Sequence, residues 1–183
     1  CQSGFSGSGT ECDDTSAGLS ARPTMSWLPV AYAFSMVDTA SRVTAHAASL
    51  LESGAVEAAD YACVNDFTFV GTSVASNAAG ALVALVGRNE GGRTLSSAAA
   101  NAVIDTFSTC FDATHWRATT SSKRITLLAQ RIEIMAISDA NKKIMLQHDR
   151  LLDSLVDGLL LDDDNPRRGQ HGADVLQETC VGV

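Results

Sequence analysis

Four histidines and five cysteines are the residues of this chain best suited to chemistry, and their spacing speaks against it. His46, His115, His148 and His171 are scattered, with no His-Glu-x-x-His face to hold zinc and no named partner that would make one of them a general base. No Gly-x-x-x-x-Gly-Lys loop cradles a phosphate, and no Gly-x-Ser-x-Gly elbow presents a nucleophile. The cysteines contain no Cys-x-x-Cys pair, so a structural zinc site is not expected. Cys63, Cys110 and Cys180 stand far apart among apolar neighbours and read as buried free thiols, since an unpaired Cys packs as a small hydrophobe. The run Asp162-Asp163-Asp164 lacks the Gly at the sixth position and the Glu at the twelfth that an EF-hand loop requires. It reads as a solvated turn whose charge Arg167 and Arg168 neutralise. No catalytic, cofactor-binding or metal-ligating set emerges, and the expectation is a protein that is not an enzyme and carries no cofactor.

Composition narrows the classes further. Thirteen basic against twenty-one acidic side chains leave a formal net charge of -8, and no Lys/Arg cluster exceeds two residues. A phosphate backbone needs a positive surface, so nucleic acid is not expected as a partner. Polar or charged residues interrupt the longest apolar stretches within about a dozen residues, short of the roughly 20 a membrane span needs. Apolar residues make up 45% of the chain and aromatics only 5%, so Ala, Leu and Val must build the core. That balance favours closely packed helices over a sandwich of strands, and the expected fold class is all-α.

The elements follow from periodicity and punctuation. Residues 1–22 are rich in Gly, Ser and Thr without hydrophobic period, and form a unit separate from the helical domain expected over 23–183. A helix or broken pair is expected within residues 25–52, ending near Gly54, with another short helix over 55–62. Residues 64–74, where Phe67, Phe69 and Val70 sit, fit a loop or a strand and are read as a loop. Ser76 and Asn77 are the expected cap of an apolar helix over 78–86, and Thr94 of the next, which carries Leu95, Ala99, Val103 and Phe107 on one face. A helix over 121–137 is followed by a break at Ser138 and Asp139 and a short helix over 140–146. Leu151, Leu152, Leu155, Val156, Leu159 and Leu160 then form a strong stripe, with Leu152, Leu155, Val156 and Leu159 expected to face inward. Pro166 marks the next turn, and a last helix begins near Arg168. Cys1 in place of Met, and an apolar run from Val175 to Val183 without a stop signal, read as the ends of a fragment of a larger protein.

The segment Ile134-Met135-Ala136-Ile137-Ser138-Asp139-Ala140-Asn141-Lys142-Lys143-Ile144-Met145-Leu146, followed by Leu151-Leu152-Asp153-Ser154-Leu155-Val156-Asp157-Gly158-Leu159-Leu160, resembles the junction between two armadillo repeats. Gly172-Ala173-Asp174-Val175-Leu176 is similar to the opening of such a repeat's third helix, and the pair Leu82-Val83 stands upstream as an earlier counterpart of Leu155-Val156. The resemblance, over about residues 76–183, implies antiparallel helices stacked as an armadillo-like α-solenoid fragment. It implies a protein-binding scaffold whose groove takes an extended peptide. Asn101 and Asp105, four apart on one helix face, and Asp174 and Gln177, three apart on another, would line that groove and favour basic or neutral segments over acidic ones. Asn141 would bond the peptide backbone, or else serve as a capping or turn-forming residue.

Cys1-Gln2-Ser3-Gly4-Phe5-Ser6-Gly7-Ser8-Gly9-Thr10-Glu11-Cys12 is similar to the closing half of an epidermal-growth-factor-like module. That resemblance implies a disulfide between Cys1 and Cys12 and an oxidising compartment. A Gly/Ser-rich linker is the other reading, so the amino-terminal segment is disulfide-closed or disordered. The same choice separates a cytoplasmic scaffold from part of a secreted or cell-surface adhesion or receptor-type protein.

Overall fold

The computed structural model describes residues 28–65, 68–69, 72–88, 92–109, 111, 122–161, 163, 168–169 and 173–183. The expected Cys1–Cys12 bridge and Cys110, His115, Pro166 and His171 lie outside these residues. The chain order is α1 (Leu28–Ser41), α2 (Thr44–Glu52), α3 (Ala55–Asn65), β1 (Thr68–Phe69), β2 (Thr72–Ser73), α4 (Val74–Val86), α5 (Ser97–Ser108), α6 (Ser122–Ala136), α7 (Asp139–Met145), α8 (Leu151–Leu160) and α9 (Ala173–Gly182). The body is helical, as its composition implies. The stretch read as a loop contains a short antiparallel pair, Thr68 opposite Ser73 and Phe69 opposite Thr72.

Helix α4 lies at the centre because almost nothing in it needs water. It carries no charged residue, and Val74, Ala75, residues 78–83, Leu85 and Val86 are all buried. A helix apolar on every side must be covered on every side, and α1, α3, α5 and α6 pack against it. Its many Ala residues let those neighbours come close. The helix starts at Val74, ahead of the Ser76–Asn77 cap expected for it.

The second cap also sits elsewhere. Ser96, not Thr94, is the N-cap of α5: its hydroxyl accepts from the Ala99 backbone N–H at 3.2 Å. Helix α5 buries Ala99, Ala100, Val103, Ile104 and Phe107, and Phe107 meets Phe111 edge to face with ring centres 5.3 Å apart. Ser138 caps α7 by accepting from the Asn141 backbone N–H.

Asn141 then ties α7 to the connection between α4 and α5. Its Oδ1 accepts from the Leu95 N–H at 3.0 Å, and its Nδ2 donates to the Gly87 carbonyl at 2.7 Å. Both backbone groups flank helices, where orphaned donors and acceptors are a standing cost. One fully buried amide satisfies a group on each side.

Helix α8 shows the largest departure from the expected facing. Leu151, Ser154 and Gly158 are its buried residues, with Leu155 half-buried. Leu152, Val156, Leu159 and Leu160 point outward, 60%, 51%, 44% and 58% exposed. The inward face is set by what its neighbours α5 and α9 can approach. The Ser154 and Ser108 hydroxyls bond to each other at 2.6 Å across α5 and α8, and a Cβ at Gly158 would run into Cys180 Sγ and the Phe111 ring. Close helix packing therefore selects the small residues at Ser154 and Gly158 and turns Leu152, Val156, Leu159 and Leu160 away.

Candidate functional site

Two features could act on another molecule. The first is a cavity of about 550 Å³ between α1, α2, α4 and α6, lined by Asp38, Arg42, Arg88, Gln130, Arg131 and Glu133 around an apolar floor that includes Leu51, Val83, Leu85 and Ile134. Arg131 sits on the face of α6 that also carries Leu128, Ile132 and Met135, and only 8% of it is exposed. Its Nη2 donates to Asp38 Oδ2 at 2.9 Å. The other oxygen, Asp38 Oδ1, accepts from Arg42 Nη2 at 3.3 Å. A buried charge must be paired or neutralised, and here one buried carboxylate sits between two guanidiniums. Gly80 makes the arrangement possible, since any Cβ there would collide with the Arg131 guanidinium. The Arg131 Nε–H is enclosed and has no hydrogen-bond acceptor among the described residues.

The second feature is the outward face of α8. Leu152, Val156, Leu159 and Leu160 recur at helical spacing and form one stripe, and Leu146 at the end of α7 is 64% exposed. By the same spacing the exposed Asp153 and Asp157 border one edge of it. An exposed apolar stripe of this kind, with an acidic border, is unusual for a helix face left to water.

Of the residues expected to line a groove, Asn101 and Asp105 are exposed on α5, while on α9 Asp174 is exposed and Gln177 half-buried. Asp105 is occupied by His148, whose Nε2 lies 3.2 Å from its Oδ1. The Arg150 backbone N–H donates to His148 Nδ1, so that nitrogen is an acceptor and Nε2 carries the proton toward Asp105. With both nitrogens engaged, His148 braces the entry to α8. Gln177 donates to the Leu159 carbonyl at 3.1 Å. Asn141 is fully buried with its amide bonded to Gly87 and Leu95, which fits the capping or turn-forming reading of it better than a bond to a peptide backbone.

Cys63 is buried, its thiol lying 3.7 Å from the Ala75 carbonyl, and burial, with Asp60 adding to it, pushes its pKa up to about 12. Burial lifts Cys180 to about 11. Both are free thiols held in the unreactive form. Arg168 pairs with Asp163 at 2.8 Å in the acidic turn. Among the described residues no group of three or more His, Cys, Asp or Glu side chains is placed to hold a metal ion, and no helix is long and apolar enough to cross a membrane.

Periodicity found the helices but missed the Asp38–Arg131 pair. The available signal was a charged residue on an otherwise apolar face of α6, together with a glycine in the middle of α4. Comparison of the chain with protein-family models, curated proteins and solved structures finds no match.

Proposed function

We propose that this chain is a non-enzymatic protein-binding scaffold of helical-repeat type, and that the outward face of α8 receives a partner segment with apolar anchors and basic flanks. The exposed stripe Leu152, Val156, Leu159 and Leu160 carries the reading. Four large aliphatic side chains in register on one short helix give a partner a row of apolar anchor points. Asp153 and Asp157 beside them set the charge of that partner. The succession of helix contacts supports the repeat arrangement: α1, α4, α6 and α9 touch in turn, and so do α3, α5 and α8. Two such rows built from successive helices are how stacked repeats bury a continuous core while leaving an extended surface.

A peptide array tests the reading. Segments that combine apolar anchors with Lys or Arg should bind at low salt, lose affinity as salt rises, and fail on a Leu152→Asp/Leu159→Asp variant whose helical circular dichroism is unchanged. Equal binding of acidic segments, or binding untouched by the double variant, would overturn it.

A further inference from the structure

We propose that the segment received by the outward face of α8 is α7 of a second copy of this chain, an inference that rests on the reading of α8 given above. The α8 stripe calls for apolar anchors with a basic flank, and α7 carries both on its outer side. Ile137, just before α7, and Leu146, at its end, are 58% and 64% exposed. Lys143 is exposed too, and Leu146 continues its face by a three-residue step. Asp139 lies 3.8 Å from Lys142, whereas Lys143 has no ion-pair partner among the described residues. Asp149 and Arg150, in the turn that follows, offset each other in charge. Two copies of a chain with net charge -8 repel on average, and the outer side of α7 is a place where attraction is available instead.

The spacing on the two helices matches. Asp153 stands three residues before Val156, as Lys143 stands three before Leu146, and Asp153 is exposed with no ion-pair partner among the described residues. Laid parallel, the helices set Lys143 against Asp153 and Leu146 against Val156, between Leu152 and Leu159. Two α8 faces laid together would offer only acidic borders to each other and gain no such charge match. Within one chain the pairing is not made: α7 packs against α5 and α6, and α8 against α5 and α9, so each keeps its outer side open. Every copy carries both halves, so one approach can be made twice about a two-fold axis, which closes the assembly at two copies. The contact is small, so its dissociation constant is on the order of hundreds of micromolar, and dilute protein leaves both faces open.

The test is sedimentation equilibrium of the full chain from low micromolar to millimolar concentration, where the average mass should rise from 19.1 kDa toward twice that value. Lys143→Glu and Leu146→Asp on one side, and Asp153→Lys and Leu152→Asp/Leu159→Asp on the other, should each weaken dimerisation about tenfold or more while helical circular dichroism is unchanged. Mixing Lys143→Glu with Asp153→Lys should restore it, because opposite charges then meet at both contacts. A chain that stays monomeric throughout, a dimer undiminished by Lys143→Glu and Leu146→Asp, or a mixture that fails to recover would overturn the proposal. A monomeric chain whose α8 face still binds basic amphipathic peptides on the array removes only the assignment of the partner to α7 and leaves the reading of α8 standing. Loss of both removes both.

Discussion

Helices α4 and α8 are both rich in aliphatic residues, Ala, Val and Leu in one and Leu in the other, yet they do opposite things. Helix α4 buries residues all round, while α8 buries Leu151, Ser154 and Gly158 and turns four large aliphatic residues outward. Apolar content alone does not decide burial. Neighbours decide it: α1, α3, α5 and α6 surround α4, whereas α5 and α9 meet α8 on its small-residue side. The helix whose stripe looks most like a core face is the one that leaves an apolar surface exposed.

The comparison breaks if stability does not follow it. The largest loss is expected at α4, where Leu82→Ala should cost about 2–5 kcal/mol in denaturant unfolding because the side chain is 2% exposed in the core. Removing the staple beside α4 comes next: Asn141→Ala orphans the Leu95 N–H and the Gly87 carbonyl, at about 1–3 kcal/mol for each buried group left unpaired. Gly158→Ala should cost about 1–3 kcal/mol by forcing a methyl into Cys180 and Phe111, and thermal melting will show it as a lowered midpoint. Leu152→Ala, on the open side of the same helix, should stay within about 0.5 kcal/mol. A costly Leu152→Ala beside a silent Gly158→Ala would reverse the facing assigned to α8.

Much of this was legible beforehand. The breaks at Gly54, Ser138 and Asp139 and the periods around Ala99 and Leu128 placed most helices to within a few residues, because caps and apolar spacing are local properties. The facing of α8 was not local. Its best stripe runs through Leu152, Val156 and Leu159, and only the hydroxyl pair Ser108–Ser154 and the crowding at Gly158 show which side α5 and α9 occupy. Asn141 stood out in the sequence for a plausible reason, but its amide answers to backbone groups of a distant connection. Asp38 and Arg131 are 93 residues apart, and no spacing rule joins them.

The thiols offer a smaller check on the well-packed part of the molecule. Their folded pKa values, about 12 for Cys63 and about 11 for Cys180, lie above the ordinary 9.0, so the folded state holds these protons more tightly than the unfolded chain does. The associated stability is whole below about pH 9 and declines as pH rises through 9 toward 11 and 12. Urea midpoints should accordingly fall across that alkaline window. Iodoacetamide at neutral pH should modify Cys63 far more slowly than it modifies the urea-unfolded chain.

The central claim, an α8 face open to a partner while α4 is closed, is tested most directly by relaxation of Leu and Val methyl resonances with a soluble paramagnetic agent, before and after addition of a basic amphipathic peptide. Strong relaxation is expected at Leu152, Val156, Leu159 and Leu160 and little at Leu82, Val83 and Leu85, with the peptide protecting the α8 methyls alone. If the α8 methyls are as sheltered as those of α4 without peptide, or remain fully exposed at saturating peptide, the account is wrong.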